Sequence, residues 1–449
     1  MDIKEFKDIL FEKAENACFS EYEVTASRSE SFSVTIFKGN IEKYSKNITG
    51  GVGFRGIIGG KTGYSYSEDI SEEAADFIVK EAAQNAFIMD EEETEEVYEG
   101  EKEYPETDFI YNLELEGFKD DEKIALAEKI EKAAYAYSPK IELVTGATVA
   151  TGCSESYISN SKGLDLYKKC NSYICVLSVI ASEGDKKKTG SEVFLANRLS
   201  EFDLNKLVES ACGKAVKALE ASTVKSFKGK VIFENEAFSD ILEVFSQNFF
   251  GELAQKGFSL LASKEGEKIA SDIVTIKDDP LLIDGYGSSP FDDEGVASRV
   301  KTVVEKGVLK TLLYTLKSAK KAEGSVLAGN GYRPSYKGSI QTSTTNFYIE
   351  KGDLSYNELV EKLQSGVIIT KVTGLHAGAN PISGDFSLLC EGFLAENGKI
   401  KRPVDQITCA GNFYSVMKDI LLLGNDLKFS LSGIGSPSVL VDNISISGS

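Results

Sequence analysis

With 449 residues, 42% of them apolar, the chain can bury more than one core, and its length suits two or three domains. A formal net charge of -20 argues against any role built on duplex DNA, because phosphate contacts need clustered Lys and Arg. No apolar run reaches the roughly eighteen residues of a membrane span, the N-terminus MDIKEFKDIL is charged rather than signal-like, and seven scattered cysteines without a CxxC pair read as reduced thiols. A cytoplasmic globular protein is expected.

Ile3, Phe6, Leu10 and Ala14 recur at helical spacing and predict an opening amphipathic helix. Tyr22, Val24 and Ala26, then Phe32, Val34 and Ile36, alternate as strand residues do, with Lys38-Gly39-Asn40 as a turn. Two further strands flank Gly59-Gly60, and a second helix starts near Asp69 and Glu72. Residues 90–104, DEEETEEVYEGEKEY, are read as a solvated acidic connector. The same order then returns. A helix through Ile124, Ala127, Ile130 and Ala134 leads into alternating segments at 141–150, 154–160, 164–169, 172–182 and 188–196, and Leu204, Leu207, Ala211 and Val216 mark a closing helix. Lys61-Thr62-Gly63 in the first half is echoed by Lys188-Thr189-Gly190 in the second, so a duplicated helix, meander, helix unit is inferred.

A new region begins near Ser226. Val231–Phe233 reads as a strand, Asn235 as the cap of a helix showing Phe238, Ile241, Leu242, Phe245 and Phe249, and Lys306-Gly307 as a hairpin turn. A capping box at Ser355 and Glu358 opens a helix that stops at Gly366, and the buried strand Val367–Val372 follows. The loop GLHAGANPISGDFS, 374–387, holds the single histidine, His376; a hairpin around Asn397-Gly398 carries the chain away. Phe413, Val416, Met417 and Ile420 predict a last helix closed by Gly424 and Asn425. The expected fold class is α+β: an N-terminal domain, 1–225, of two duplicated helix, β-meander, helix units, and a C-terminal domain, 226–449, with a mixed or antiparallel sheet and helices.

Several motifs fail on context. Gly51, Gly53 and Gly56 spell GxGxxG, but alternating residues rather than a helix follow, so the glycines are assigned to a tight twisted turn. Gly60-Lys61-Thr62 imitates the end of a P-loop with Arg55 in the place of its first glycine. A hydrolytic triad has only His376 as base, with Asp385 as a carboxylate partner, and no GxSxG elbow. Glu236 and Asp240 lie four apart on one helix, where favourable interaction with the macrodipole is the simpler account. Asp292, Asp293 and Glu294, after Ser289-Pro290 and before Gly295, suit either a turn or a site, for a peptide amine, a cation or a basic partner side chain, or for acid-base chemistry by a carboxylate pair.

The loop 374–387, together with SSPFDDEGV (288–296), LAGNGYRP (327–334), LLGNDLKF (422–429) and SPSVLVD (436–442), resembles the TldD/PmbA family, a two-subunit peptidase system often labelled modulator of DNA gyrase. The likeness spans nearly the whole chain and is nearer the PmbA (TldE) half. In the TldD half, a His, Glu, His motif on the helix after the first C-terminal strand and a C-terminal cysteine hold a metal. Here the matching helix reads NEAFSD (235–240) and the end reads SGIGSPSVLV (432–441), so the resemblance implies no metal site and no cofactor. It implies a subunit that pairs with a TldD-like metallopeptidase chain, or with itself, to process small or unfolded peptides. His376, Asn380, Asp385, Asp292, Asp293 and Glu294 are the expected substrate-binding residues, and His376 with Asp385 the catalytic candidates. Two other readings stay open: a metal-independent hydrolase, and a non-enzymatic peptide-binding or assembly protein. No nucleic acid or membrane partner is expected.

Overall fold

The computed structural model describes residues 2–88 and 96–448. Asp2 caps the first helix, Ile3–Asn16, by accepting from the Lys4 and Glu5 N–H groups while Glu5 reaches back to its own N–H. Strands β1 (Glu21–Phe37), β2 (Asn40–Ile58) and β3 (Lys61–Ser67) form an antiparallel meander, and helix Glu72–Ile88 closes the unit. Helix Asp120–Tyr137, β4 (Ile141–Asn160), β5 (Asp165–Glu183), β6 (Lys186–Ala196) and helix Leu204–Ala218 repeat that order. The five segments expected between 141 and 196 are thus three long strands. Gly152 does not break β4, because that strand is hydrogen-bonded to β1 on one side and β5 on the other.

β1 pairs antiparallel with β4 from Glu23↔Asn160 to Ile36↔Ala147, which joins the two meanders into one sheet of order β3-β2-β1-β4-β5-β6. Each unit buries its own core against it, one around Phe6, Leu10, Phe54 and Ile78, the other around Ile130, Val149, Tyr173 and Leu207. The echoed glycines have a packing cause. A Cβ on Gly63 would lie 1.9 Å from the Ala82 carbonyl oxygen, and one on Gly190 2.1 Å from that of Ala211, so each lets its closing helix lie flat on the last strand.

The acidic connector is less solvated than its charge suggests. Its first part, 90–95, lies outside the described residues, but Val97 is 2% exposed and its N–H donates to Glu21 Oε2 at 2.8 Å. Tyr104 donates to the Gly295 carbonyl at 2.8 Å, and Glu101 pairs with Arg299 and accepts from the Ala297 N–H at 3.1 Å. The apolar and aromatic residues among the acids give it something to bury, and the far side supplies partners for the charge.

Beyond Ser226, β7 (Phe227–Phe233) runs parallel to strand Gly366–Thr373 and antiparallel to strand Val439–Ser447. Strand Lys399–Asn412 pairs with Asp385–Glu396 and also, at Thr408–Ala410, with Val439–Ser447, so this sheet closes on itself. A second, mixed sheet of short strands includes the hairpin turning at Lys306-Gly307. Helix Asn235–Ser246 belongs to the core shared by the two sheets, burying Phe238, Ile241, Leu242 and Phe245. Helices and strands are mixed as α+β requires. Two expected details differ. The last helix stops at Lys418 and Ile420 opens a strand that pairs with Val441, so its burial satisfies a sheet rather than a helix face. Glu234, not Asn235, occupies the cap position of the helix, because the Asn235 amide is turned to donate to the Asp426 carbonyl at 2.8 Å. Among the described residues no helix is long and apolar enough to cross a membrane, and all seven cysteines are free thiols.

Candidate functional site

The loop 374–387 contains one helical turn, Leu375–Gly378, entered through Gly374 at φ 90°. Asn380 Oδ1 accepts from the Ile382 and Ser383 N–H groups at 3.0 and 3.2 Å, and its own N–H donates to the Asp385 carbonyl. Asp385 is held by Asn412 at 2.9 Å, and this bond and the one from Ser383 keep its carboxyl below the usual range. His376, Asn380 and Asp385 are all exposed, and none of them lines either of the cavities described below.

The three acids 292–294 are elsewhere, Glu294 buried and Asp292 and Asp293 half-buried. Asp292 Oδ1 accepts from the Glu294 and Val296 N–H groups and Oδ2 from Gly331, while Asp293 accepts from the Arg333 N–H and faces Lys168 at 3.3 Å. Glu294 takes the Leu316 N–H at 2.8 Å; burial, with Asp292 beside it, raises its pKa well above the carboxylate range. The acids therefore tie the loop 289–296 to the segment 331–333. With Arg333 and Tyr336, Asp292 and Asp293 line a small cavity of about 140 Å³ against β1 and β4. Next to it Glu23, 1% exposed, faces Arg333 and Arg55, each at 3.5 Å. Gly51 and Gly53 lie in the interior of β2, not in a turn. A Cβ on either would come within 2.4 Å of Tyr336, so these glycines make room for the 333–338 segment to press on the sheet.

The large cavity, about 1070 Å³, lies between β4, β5 and β6 of the N-terminal sheet, helix Asn235–Ser246 and the segment 427–431. β6 is the last strand of its sheet, and its residues 191–196 line the cleft. Four charged side chains alternate there. Glu192 meets Lys214 at 2.8 Å and Lys428 at 3.0 Å, and Glu236 meets Lys214 at 3.1 Å and also pairs with Lys428. Burial works against the charge on Glu192, but Lys214, Ser210 and Lys428 outweigh it and hold its pKa at about 2. Burial likewise opposes the ammonium of each lysine, and the two glutamates more than compensate. Glu236 is therefore held in a charge-balanced network, a stronger constraint than the helix dipole expected from its position.

One turn further on, Asp240 lines the same cleft without an ion pair to any described residue, and burial, reinforced by Glu243 and Glu236 and opposed by Lys371, pushes its pKa up to about 6. The sequence places Glu236 and Asp240 on one face of a helix, but nothing in it marks Glu192, Lys214 or Lys428. Ordinary positions on a strand and a helix become a site only when residues 192, 214, 236 and 428 meet.

Profiles of the PmbA/TldA metallopeptidase family match three stretches: domain 1 at residues 22–86, the central domain at 114–219 and the C-terminal domain at 226–448. A crystal structure from Thermotoga maritima, named as a candidate modulator of a DNA gyrase, is 32% identical in sequence. It superposes with a TM-score of 0.92, covering 99% of this chain and all of its own. The chain belongs to the PmbA/TldD family. Within that family, metalloprotease PmbA of Escherichia coli is 27% identical over 431 residues, 95% of this chain and 92% of its own length. TldE from Thermococcus kodakarensis shares the fold, with a TM-score of 0.90 over 99% of this chain and all of its own at 24% identity. The first two profile matches fall on the two meander units, and the third takes in both C-terminal sheets.

Proposed function

We propose that this chain is the PmbA/TldE-type subunit of a cytosolic metallopeptidase complex acting on small or unfolded peptides, and that it leaves the metal to a TldD-type partner chain. The observation that carries the reading is the donor set facing the cleft. A hydrolytic zinc site needs three protein ligands and an open position. Helix Asn235–Ser246 offers Asn235, Glu236 and Asp240 instead of the histidines the family resemblance implies for the metal-bearing half. Glu236 is already engaged by Lys214 and Lys428, and the Asn235 amide is engaged by Asp426. Among the described residues no three His, Cys, Asp or Glu side chains gather as a ligand set. The residues present do not fit the family's metal, and two ammonium groups supply the positive charge at this place.

Peptide handling is supported by β6. Among the described residues its outer edge has no partner strand, and it borders the cleft, so an extended chain can add to it through backbone hydrogen bonds, which selects unstructured substrates. The loop 374–387 acts as a brace, with Asn380 and Asp385 tying its ends, and the acids 292–294 brace the wall between the sheet and the C-terminal unit. The test is co-expression with a TldD-type chain, followed by metal analysis and peptide cleavage by the complex and by each chain alone. The proposal expects metal only on the partner and turnover only by the pair. Zinc bound stoichiometrically by this chain alone, or chelator-insensitive turnover by it alone, overturns the proposal.

A further inference from the structure

We infer that Ser239 and Asp240 form a binding site for a primary ammonium group, the free N-terminus of a peptide or a lysine side chain. The inference rests on the peptide-binding reading above and adds what the peptide carries. Five carboxylates line the large cleft, and four are matched. Glu192 and Glu236 are held by Lys214 and Lys428, and Glu201 and Asp284 lie 3.8 and 3.4 Å from Arg198. Asp240 is the fifth. No ion pair or hydrogen bond to a described residue engages its carboxylate, and although the charge of Lys371 reaches it, Lys371 forms no ion pair with it.

Ser239, the residue before it, also lines the cleft, is 1% exposed, and its Oγ has no hydrogen-bond partner. A buried hydroxyl left unpaired costs free energy that a bound donor recovers. The cleft wall therefore presents, on consecutive residues of one helix, one unbalanced negative charge and one idle acceptor, beside a cavity wide enough for a peptide.

The number of acceptors selects the ligand. Calcium or magnesium needs about six oxygen donors, and these two side chains offer three at most. A guanidinium would bring five N–H donors to the same two groups, leaving more of them unpaired than the three of an ammonium. A primary ammonium can donate to both groups and keep its third N–H for water in the cleft.

The test is fluorescence anisotropy on the full-length chain with an extended hexapeptide of alternating valine and threonine, labelled at its C-terminal end. Three forms are compared: free amine, N-acetylated, and N-acetylated with lysine at the first position. Wild-type protein is expected to bind the free amine at least about tenfold more tightly than the acetylated form, the scale of a charge-assisted hydrogen bond. The lysine form decides the source: recovery identifies a side-chain ammonium as sufficient, and no recovery identifies the N-terminus. Asp240→Asn, close to isosteric, is expected to erase the preference. Ser239→Ala, which deletes only an unpartnered hydroxyl, is expected to shrink it about threefold. Equal binding of the free and acetylated forms by wild type overturns the ammonium site while leaving peptide binding intact. Absence of binding by every form overturns both, and a preference that survives both substitutions moves the site elsewhere.

Discussion

Gly63→Ala and Gly190→Ala are expected to damage the two halves of the N-terminal sheet in the same way. Neither glycine has a positive φ, so the cost is packing rather than backbone strain. The added methyl on residue 63 would sit 1.9 Å from a helix carbonyl oxygen, and restoring an ordinary 3.4 Å contact requires helix Glu72–Ile88 to retreat by about 1.5 Å. That helix buries Ala74, Ala75, Ile78, Val79, Ala82 and Ala86, and all of them lift with it. Overpacking of this kind costs about 3 kcal/mol when the obstacle is backbone, and the entropy removed from the unfolded chain returns about 0.7 kcal/mol, so a net loss of about 2 kcal/mol is expected. Gly229→Ala is the control, because its Cβ would meet only Phe227 at 3.7 Å. Urea unfolding followed by far-ultraviolet circular dichroism and tyrosine fluorescence is the assay, since the chain has no tryptophan. A loss below about 0.5 kcal/mol at both glycines, or an equal loss in the control, refutes the close-approach account.

Glu23→Gln leaves the guanidinium groups of Arg55 and Arg333 without their shared carboxylate between the sheet and the C-terminal unit, and is expected to cost about 3–5 kcal/mol in urea unfolding. A cost under about 1 kcal/mol would show that the charges are solvated after all. Glu192 has a folded pKa of about 2 against an ordinary 4.5, so its contribution is present above pH 4.5 and disappears as pH falls through 2. About 3 kcal/mol is at stake. Replacing Lys214 and Lys428 together by Met should flatten the stability profile between pH 2 and 5, and an unchanged profile contradicts the network. For the loop 374–387, Asn380→Ala should cost about 1 kcal/mol, as lost caps do, while His376→Ala, at an exposed position, should leave peptide binding within about twofold of wild type. A large binding loss at His376 would return that residue to the site.

The local grammar of the chain was readable from residues alone. Helical spacing at Phe6, Leu10 and Ala14, alternation through Phe32, Val34 and Ile36, and turn pairs such as Lys306-Gly307 and Asn397-Gly398 act over a few residues, where side-chain period and backbone preference decide the outcome. The repeated order of helix, meander and helix was readable too, and the same packing demand puts glycine at 63 and at 190. What the sequence could not say was where that grammar yields to its surroundings. Ile420 has helix spacing but pairs in a sheet, and the acidic stretch around Val97 looks like a linker but is tied down, the Val97 N–H by Glu21 of β1 and Glu101 by segment 297–299. The cleft lay furthest from view. Glu192, Lys214, Glu236 and Lys428 are unremarkable as solvated charges. Only the tertiary fold takes them partly out of water, where attraction between unlike charges strengthens and Asp240, a carboxylate with no ion pair among the described residues, becomes conspicuous.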